Sequence, residues 1–266
     1  MTTKFSSVAA LLLATSIVGT LAAPVAAQDF PPLPEAIQEQ GVIRIGVKCD
    51  SPPFGASGVD GTPMGIEVEM AKKIGEYAFG SEDGAELSCV TSEARIPSLN
   101  SGKLDLILAT LGRFPAREEV IDFTQDYFPP AHSAYVALSG ASKDVVKGVV
   151  AAQTSTVQAA HVAESGATLV EFATMDDTIA AVRNGEAGAV FADKGVLEDI
   201  VKESGGDLAF VGSDVVIGEG IGIGVRESDT ALKDKFNDGI TKMKADGSLN
   251  KLLVKYFGAD SMTFKN

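Results

Sequence analysis

The stretch KLDLILATLGRFPAREEVIDFTQDY, residues 103–127, decides how the rest of the chain is read. Leu104 to Leu108 is apolar apart from Asp105, as in a strand buried on both faces. Small residues follow, Ala109, Thr110 and Gly112, and then Pro115 opens a helical turn that carries Arg117. Open α/β sheets bind ligands outside the carboxyl ends of their strands. A guanidinium turned back toward such an end suits a carboxylate clamp, because arginine holds planar carboxylates with two parallel hydrogen bonds. A surface arginine on a loop would give the same local pattern, so the surrounding chain has to discriminate.

Upstream, Gly41 to Val47 reads as a strand and Ser51-Pro52-Pro53-Phe54 as a stiff loop. Ile66 to Tyr77 reads as a helix whose apolar face is Ile66, Met70, Ile74 and Tyr77. Glu86 to Val90 is a second strand, and a short helix, Ile96 to Asn100, stops at Gly102. With the opening strand third, the alternation implies a parallel sheet flanked by helices. Downstream, strands are expected at 133–138, 149–152, 168–172 and 187–192, with a helix at 176–184. Ser155 and Gln158 have capping-box spacing, which predicts a helix start with free N–H groups there. The glycine alternation GEGIGIGV, residues 218–225, suits a flexible, extended crossover strand returning to the first unit. The end reads as a long amphipathic helix, with Leu232, Phe236, Ile240 and Met243 on one face, and a short last helix over 249–257. The result is a two-domain α/β clamp with two chain crossings: residues 28–134 with 222–266, and 135–221.

The chain has 266 residues and a formal net charge of −14, which argues against nucleic acid or an anionic membrane surface as partner. Residues 1–27 read as a signal peptide: Lys4, then an apolar core from Val8 to Ala22, then Val25-Ala26-Ala27 before the cut. Export makes Cys49 and Cys89 either a disulfide or two buried thiols. Two cysteines and two distant histidines, His132 and His161, do not build a metal site, and no cofactor motif is present.

In this order, IRIGVKCDSPPF (43–54), GTPMGIEVEMAKKIG (61–75), IPSLNSGKLDLILA (96–109), AREEVIDFTQDY (116–127) and the segment from Gly222 to Gly258 resemble one family. It is the family of solute-binding proteins of bacterial ABC importers for polar amino acids, family 3. The resemblance implies the periplasmic binding protein fold, a small amino acid ligand, an inner-membrane permease as partner, and a monomer in the periplasm. It implies Arg117 for the ligand α-carboxylate, with Thr110, a backbone N–H at Gly112, and Ser155 and Thr156 from the second domain. Asp193, closing the strand in FADK, falls where the family pairs the α-ammonium. Gly112, Phe114 and Thr154 depart from the family's usual hydroxyl, Thr and Gly.

The side-chain pocket is expected to hold Arg95 and Lys48, with Ser92 where relatives often carry an aromatic platform. Two cations and no acid argue against lysine or arginine as ligand, since an unpaired buried charge is costly. The expected ligand is therefore aspartate or glutamate, with cystine, glutamine or asparagine as the alternative. Lys48 has competing readings as a solvated loop lysine or as a partner of Glu93 or Asp50, and Arg113 is expected to be solvated. A cyclic-acid dehydratase on the same scaffold is the rival class, but no nucleophile elbow or Ser/His/Asp set supports an enzyme.

Overall fold

The computed structural model describes residues 33–130, 132–258 and 264, so the expected signal peptide lies outside the described residues. The apolar run of the opening stretch is the strand Leu106–Leu108, all three residues fully buried. It pairs in parallel with Ile43–Val47, which pairs in parallel with Ala85–Cys89. The expected all-parallel sheet is in fact mixed. Ile221–Val225 lies antiparallel beside Leu106–Leu108, and Asp122–Phe128 completes the five strands.

The glycine alternation is accordingly the strand by which the chain returns to the first sheet, as expected, but it is a buried inner strand rather than a flexible one. Every residue of Ile221–Val225 is buried. A Cβ on Gly224 would stand 2.7 Å from a Leu111 methyl carbon, closer than side chains tolerate. The glycines there permit close packing between strands.

The second sheet repeats the plan: Thr168–Phe172, Val149–Gln153 and Ala189–Asp193 run parallel, His132–Leu138 pairs antiparallel with the last of these, and Leu208–Val216 pairs antiparallel with His132–Leu138. The chain passes from the first sheet to the second between Phe128 and His132 and returns between Val216 and Ile221. The helix Lys194–Glu203 and the strand Leu208–Val216 escaped the sequence reading. That strand is an edge strand, largely unburied, with a register shift between Val211 and Val215, so it carries no clean alternation.

The helix Ile66–Phe79 buries Ile66, Met70 and Ile74, but Tyr77 is 49% exposed and does not belong to the apolar face. Leu232, Phe236 and Ile240 of Thr230–Ala245 are buried as expected, and Met243 is partly so. Among the described residues no helix is long and apolar enough to cross a membrane.

Parallel pairing sets Val47 opposite Cys89, and Cys49 and Cys89 form a disulfide with Cα atoms 5.6 Å apart. Closing a loop of 40 residues removes chain entropy from the unfolded state, about 4 kcal/mol in the loop-closure account. The double variant Cys49→Ser/Cys89→Ser is expected to lose most of that in urea titration, and a loss under 1 kcal/mol would contradict it.

Candidate functional site

The carboxyl ends of the parallel strands in both sheets converge on one cleft. Arg95, Thr110, Gly112, Arg117, Thr156 and Asp193 all line it. Lys48 and Ser155, the other two residues expected there, do not.

Pro115 sits in the first turn of Pro115–Glu118, where its missing N–H costs nothing, and the turn delivers Arg117. The Arg117 guanidinium lies 4.6 Å above the Phe114 ring and donates to the Gly112 carbonyl at 2.7 Å. Its Nη2 donates to the Ser155 carbonyl of the second-sheet segment at 2.6 Å. Arg117 is only 6% exposed, so burial and then the neighbouring Arg95 charge pull its pKa well down, with Asp193 opposing. A guanidinium with five donors, two of them engaged here, keeps others for a carboxylate.

Asp193 faces it as the last residue of Ala189–Asp193. Its Oδ1 accepts from Gln158 Nε2 at 3.0 Å, and that amide also donates to Ser133 Oγ. Burial raises the carboxyl to about 6, against the opposing pull of Arg95, Gln158 and Arg117.

Among the described residues only two non-glycines have positive φ: Thr110 at 46° and Ser155 at 59°. Each conformation costs on the order of 1–3 kcal/mol, and such strain collects where a loop is held for function. Both residues connect to Arg117, Ser155 by its carbonyl and Thr110 through the Thr110–Gly112 loop. The helix cap corrects the capping-box reading. Thr156 Oγ1 accepts from Ala159 N–H at 3.0 Å, so the helix Val157–Glu164 is capped by Thr156, not Ser155.

Arg95 is 2% exposed at the start of the helix Arg95–Asn100. Its Nη1 donates to the Ala109 and Thr110 carbonyls, while its buried Nε has no partner among the described residues. Burial lowers its pKa to about 10, opposed most by the charge of Glu67.

Lys48 is fully buried and paired with Asp50 Oδ1 at 2.7 Å, with Ser92 Oγ at 3.3 Å. Of its three sequence readings, ligand contact, solvated lysine and partner of a protein acid, the geometry matches the last. Asp50 does more than neutralise it: Oδ2 accepts from Gln153 Nε2 at 2.9 Å and from Met175 N–H at 3.3 Å. That carboxylate therefore ties the loop after the first strand to the second-sheet side of the cleft. Arg113 is not a solvated cation either. It pairs with Glu118, Asp126 and Glu219, and its backbone bonds Gly220 and Glu219 in the returning crossover.

Gln153 and Gln158 line the cleft and were missed, as were Asp50 and Glu67, two acids behind its wall that bond Lys48 and the Thr110 N–H. Glu67 carried a legible signal. It shares the spacing of the apolar stripe Met70, Ala71 and Ile74, where an acid has to be buried. The glutamines carried none: Gln153 ends the strand Val149–Gln153 and Gln158 lies in the first turn of Val157–Glu164, and an amide at either place usually faces water.

The chain matches the family described as bacterial extracellular solute-binding proteins, family 3, over residues 43–259. It belongs to this family. Within it, the chain is 30% identical to an ABC transporter glutamine-binding protein of Bacillus subtilis, covering 85% of this chain and 84% of that one. It is also 30% identical to the L-arginine-binding protein of Pseudomonas aeruginosa, covering 94% and 96%. A solved family 3 neighbour is a periplasmic His/Glu/Gln/Arg/opine family-binding protein from Silicibacter pomeroyi in complex with lysine. It is 48% identical, with a TM-score of 0.78, covering 84% of this chain and all of that one. The two mixed α/β sheets and their cleft are thus the two-domain periplasmic binding protein fold.

Proposed function

We propose that the preferred ligand is an acidic L-amino acid, glutamate or aspartate, captured in the cleft and delivered to an inner-membrane ABC permease. Arg95 carries this reading: a fully buried cation on the cleft wall, its Nε unpartnered and no described carboxylate within ion-pair distance. A ligand carboxylate would supply that partner, whereas a lysine or arginine side chain would add a second cation beside it.

In this reading Arg117, Thr110 and Gly112 take the α-carboxylate from one lobe, residues 28–134 with 222–266. Ser155 and Thr156, together with Asp193 at the ammonium, close from the other, residues 135–221. Lys48 acts at one remove, by holding Asp50. The mature chain begins near Gln28, in the periplasm, and works as a monomer.

Glutamine is the second reading, favoured by the amides of Gln153 and Gln158 on the cleft wall and by the glutamine-binding relative. The screen is thermal shift followed by calorimetry with L-glutamate, L-aspartate, L-glutamine and L-lysine. Arg95→Gln is expected to cut the ratio of glutamate to glutamine affinity at least tenfold, worth about 1.4 kcal/mol. An unchanged ratio would remove the argument for an acidic ligand.

A further inference from the structure

Glu67 stands outside the cleft, behind the loop that carries Thr110. It is fully buried in the first turn of Ile66–Phe79, whose start is docked on the loop after the first strand. Ile66 N–H bonds the Pro53 carbonyl and Glu67 N–H bonds the Phe54 carbonyl. Gly65, with φ of 124°, allows this approach, since a Cβ there would stand 2.4 Å from the Phe54 carbonyl oxygen.

From that anchored base the Glu67 carboxylate reaches the binding loop. Its Oε1 accepts from Thr110 N–H at 2.6 Å and from Tyr127 O–H at 2.5 Å. On the other side of the same residue, Arg95 Nη1 holds the Thr110 and Ala109 carbonyls. Thr110, a β-branched residue in the left-handed region, is therefore gripped at its N–H and its C=O by two buried charged side chains.

We infer that Glu67 is a positioning residue for ligand binding, holding Thr110 in its left-handed conformation so that the Thr110–Gly112 loop meets the ligand. The groups facing its carboxylate are the Tyr127 hydroxyl, the Thr110 N–H, Arg95 and Lys48. The arrangement is costly as scaffolding. Burial raises the carboxyl to about 7, and Oε2 has no partner among the described residues. An apolar residue would fill the space more cheaply, but it would leave the Thr110 N–H without an acceptor.

The inference rests on the amino-acid-binding reading for its affinity arm only. Glu67→Leu removes the acceptor, and Glu67→Gln keeps one at the same reach. In the ligand-free protein, amide hydrogen exchange at Thr110, read by NMR, is expected to rise at least tenfold in Glu67→Leu and to stay near wild type in Glu67→Gln. Affinity for the tightest of L-glutamate, L-glutamine and L-lysine is expected to fall at least thirtyfold in Glu67→Leu and less than fivefold in Glu67→Gln. Selectivity among the three should be preserved, because the loop meets what all amino acids share. Should Glu67→Leu fail to fold, Glu67→Asp decides in its place, since it retracts the acceptor by one methylene and keeps the charge. Thr110 protection unchanged in the acceptor-removing variant, or affinity within threefold of wild type, overturns the role. If wild type binds none of the three probes, the ligand reading fails, and the exchange arm alone judges the clamp.

Discussion

Arg117→Ala is expected to abolish the ligand-induced rise in melting temperature while leaving the ligand-free protein folded. Removing one partner of a buried, hydrogen-bonded charge pair costs about 3–5 kcal/mol, which is a loss of affinity on the order of 10²-fold to more than 10³-fold. The ligand-free fold is affected by two opposing terms. The variant gives up the bonds to Gly112 and Ser155, but it also relieves a desolvated cation beside Arg95. The melting temperature without ligand should therefore move by only a few degrees. Calorimetry showing less than a tenfold loss of affinity would remove Arg117 from the role of carboxylate anchor.

The second large effect is expected at Asp193. Asparagine there keeps an oxygen to accept from Gln158 but no longer offers a charge to an ammonium. Affinity should fall about 100-fold or more, the cost of leaving a buried cation unpaired. The unliganded protein should instead gain stability near neutral pH. The carboxyl titrates at about 6 in the folded state, above its unfolded value, so its contribution is fully present below the unfolded value. That contribution is lost as pH rises through about 6, and asparagine avoids the loss.

Ligand binding runs the other way in pH. An ammonium beside Asp193 favours the carboxylate, so affinity should drop as pH falls below about 6, by up to tenfold per unit. Asp193→Asn should flatten that fall. What pH dependence remains would include Glu67, raised to about 7. A wild-type affinity constant between pH 7 and pH 5 would contradict the pairing.

Much of this site was legible because strand ends announce themselves. The run Leu106–Leu108 followed by small residues, and Ala189–Asp193 closing on an acid, are patterns that one segment carries by itself. The resemblance to the family then assigned Thr110, Gly112, Arg117 and Asp193 to one site, and all four line one cleft. Lys48 and Asp50 were not separable this way. A lysine two residues from an acid reads equally as a pair or as two independent groups. Only the folded loop, with Gln153 and Met175 brought against Asp50, shows which one holds. The mixed sheets were illegible for the same reason. Ile221–Val225 finds its antiparallel place only through distant partners such as Phe128 and Ile107.

By itself, then, the sequence determined the α/β alternation, the family and the residues at the strand ends, because those depend on local periodicity and on short motifs. The tertiary structure decided which charges answer each other. Lys48 turned out to be the partner of Asp50, Arg113 of three acids, and Thr110 to be held between Glu67 and Arg95. Charge pairing depends on separation and burial, and both are set by how distant segments pack rather than by their order in the chain.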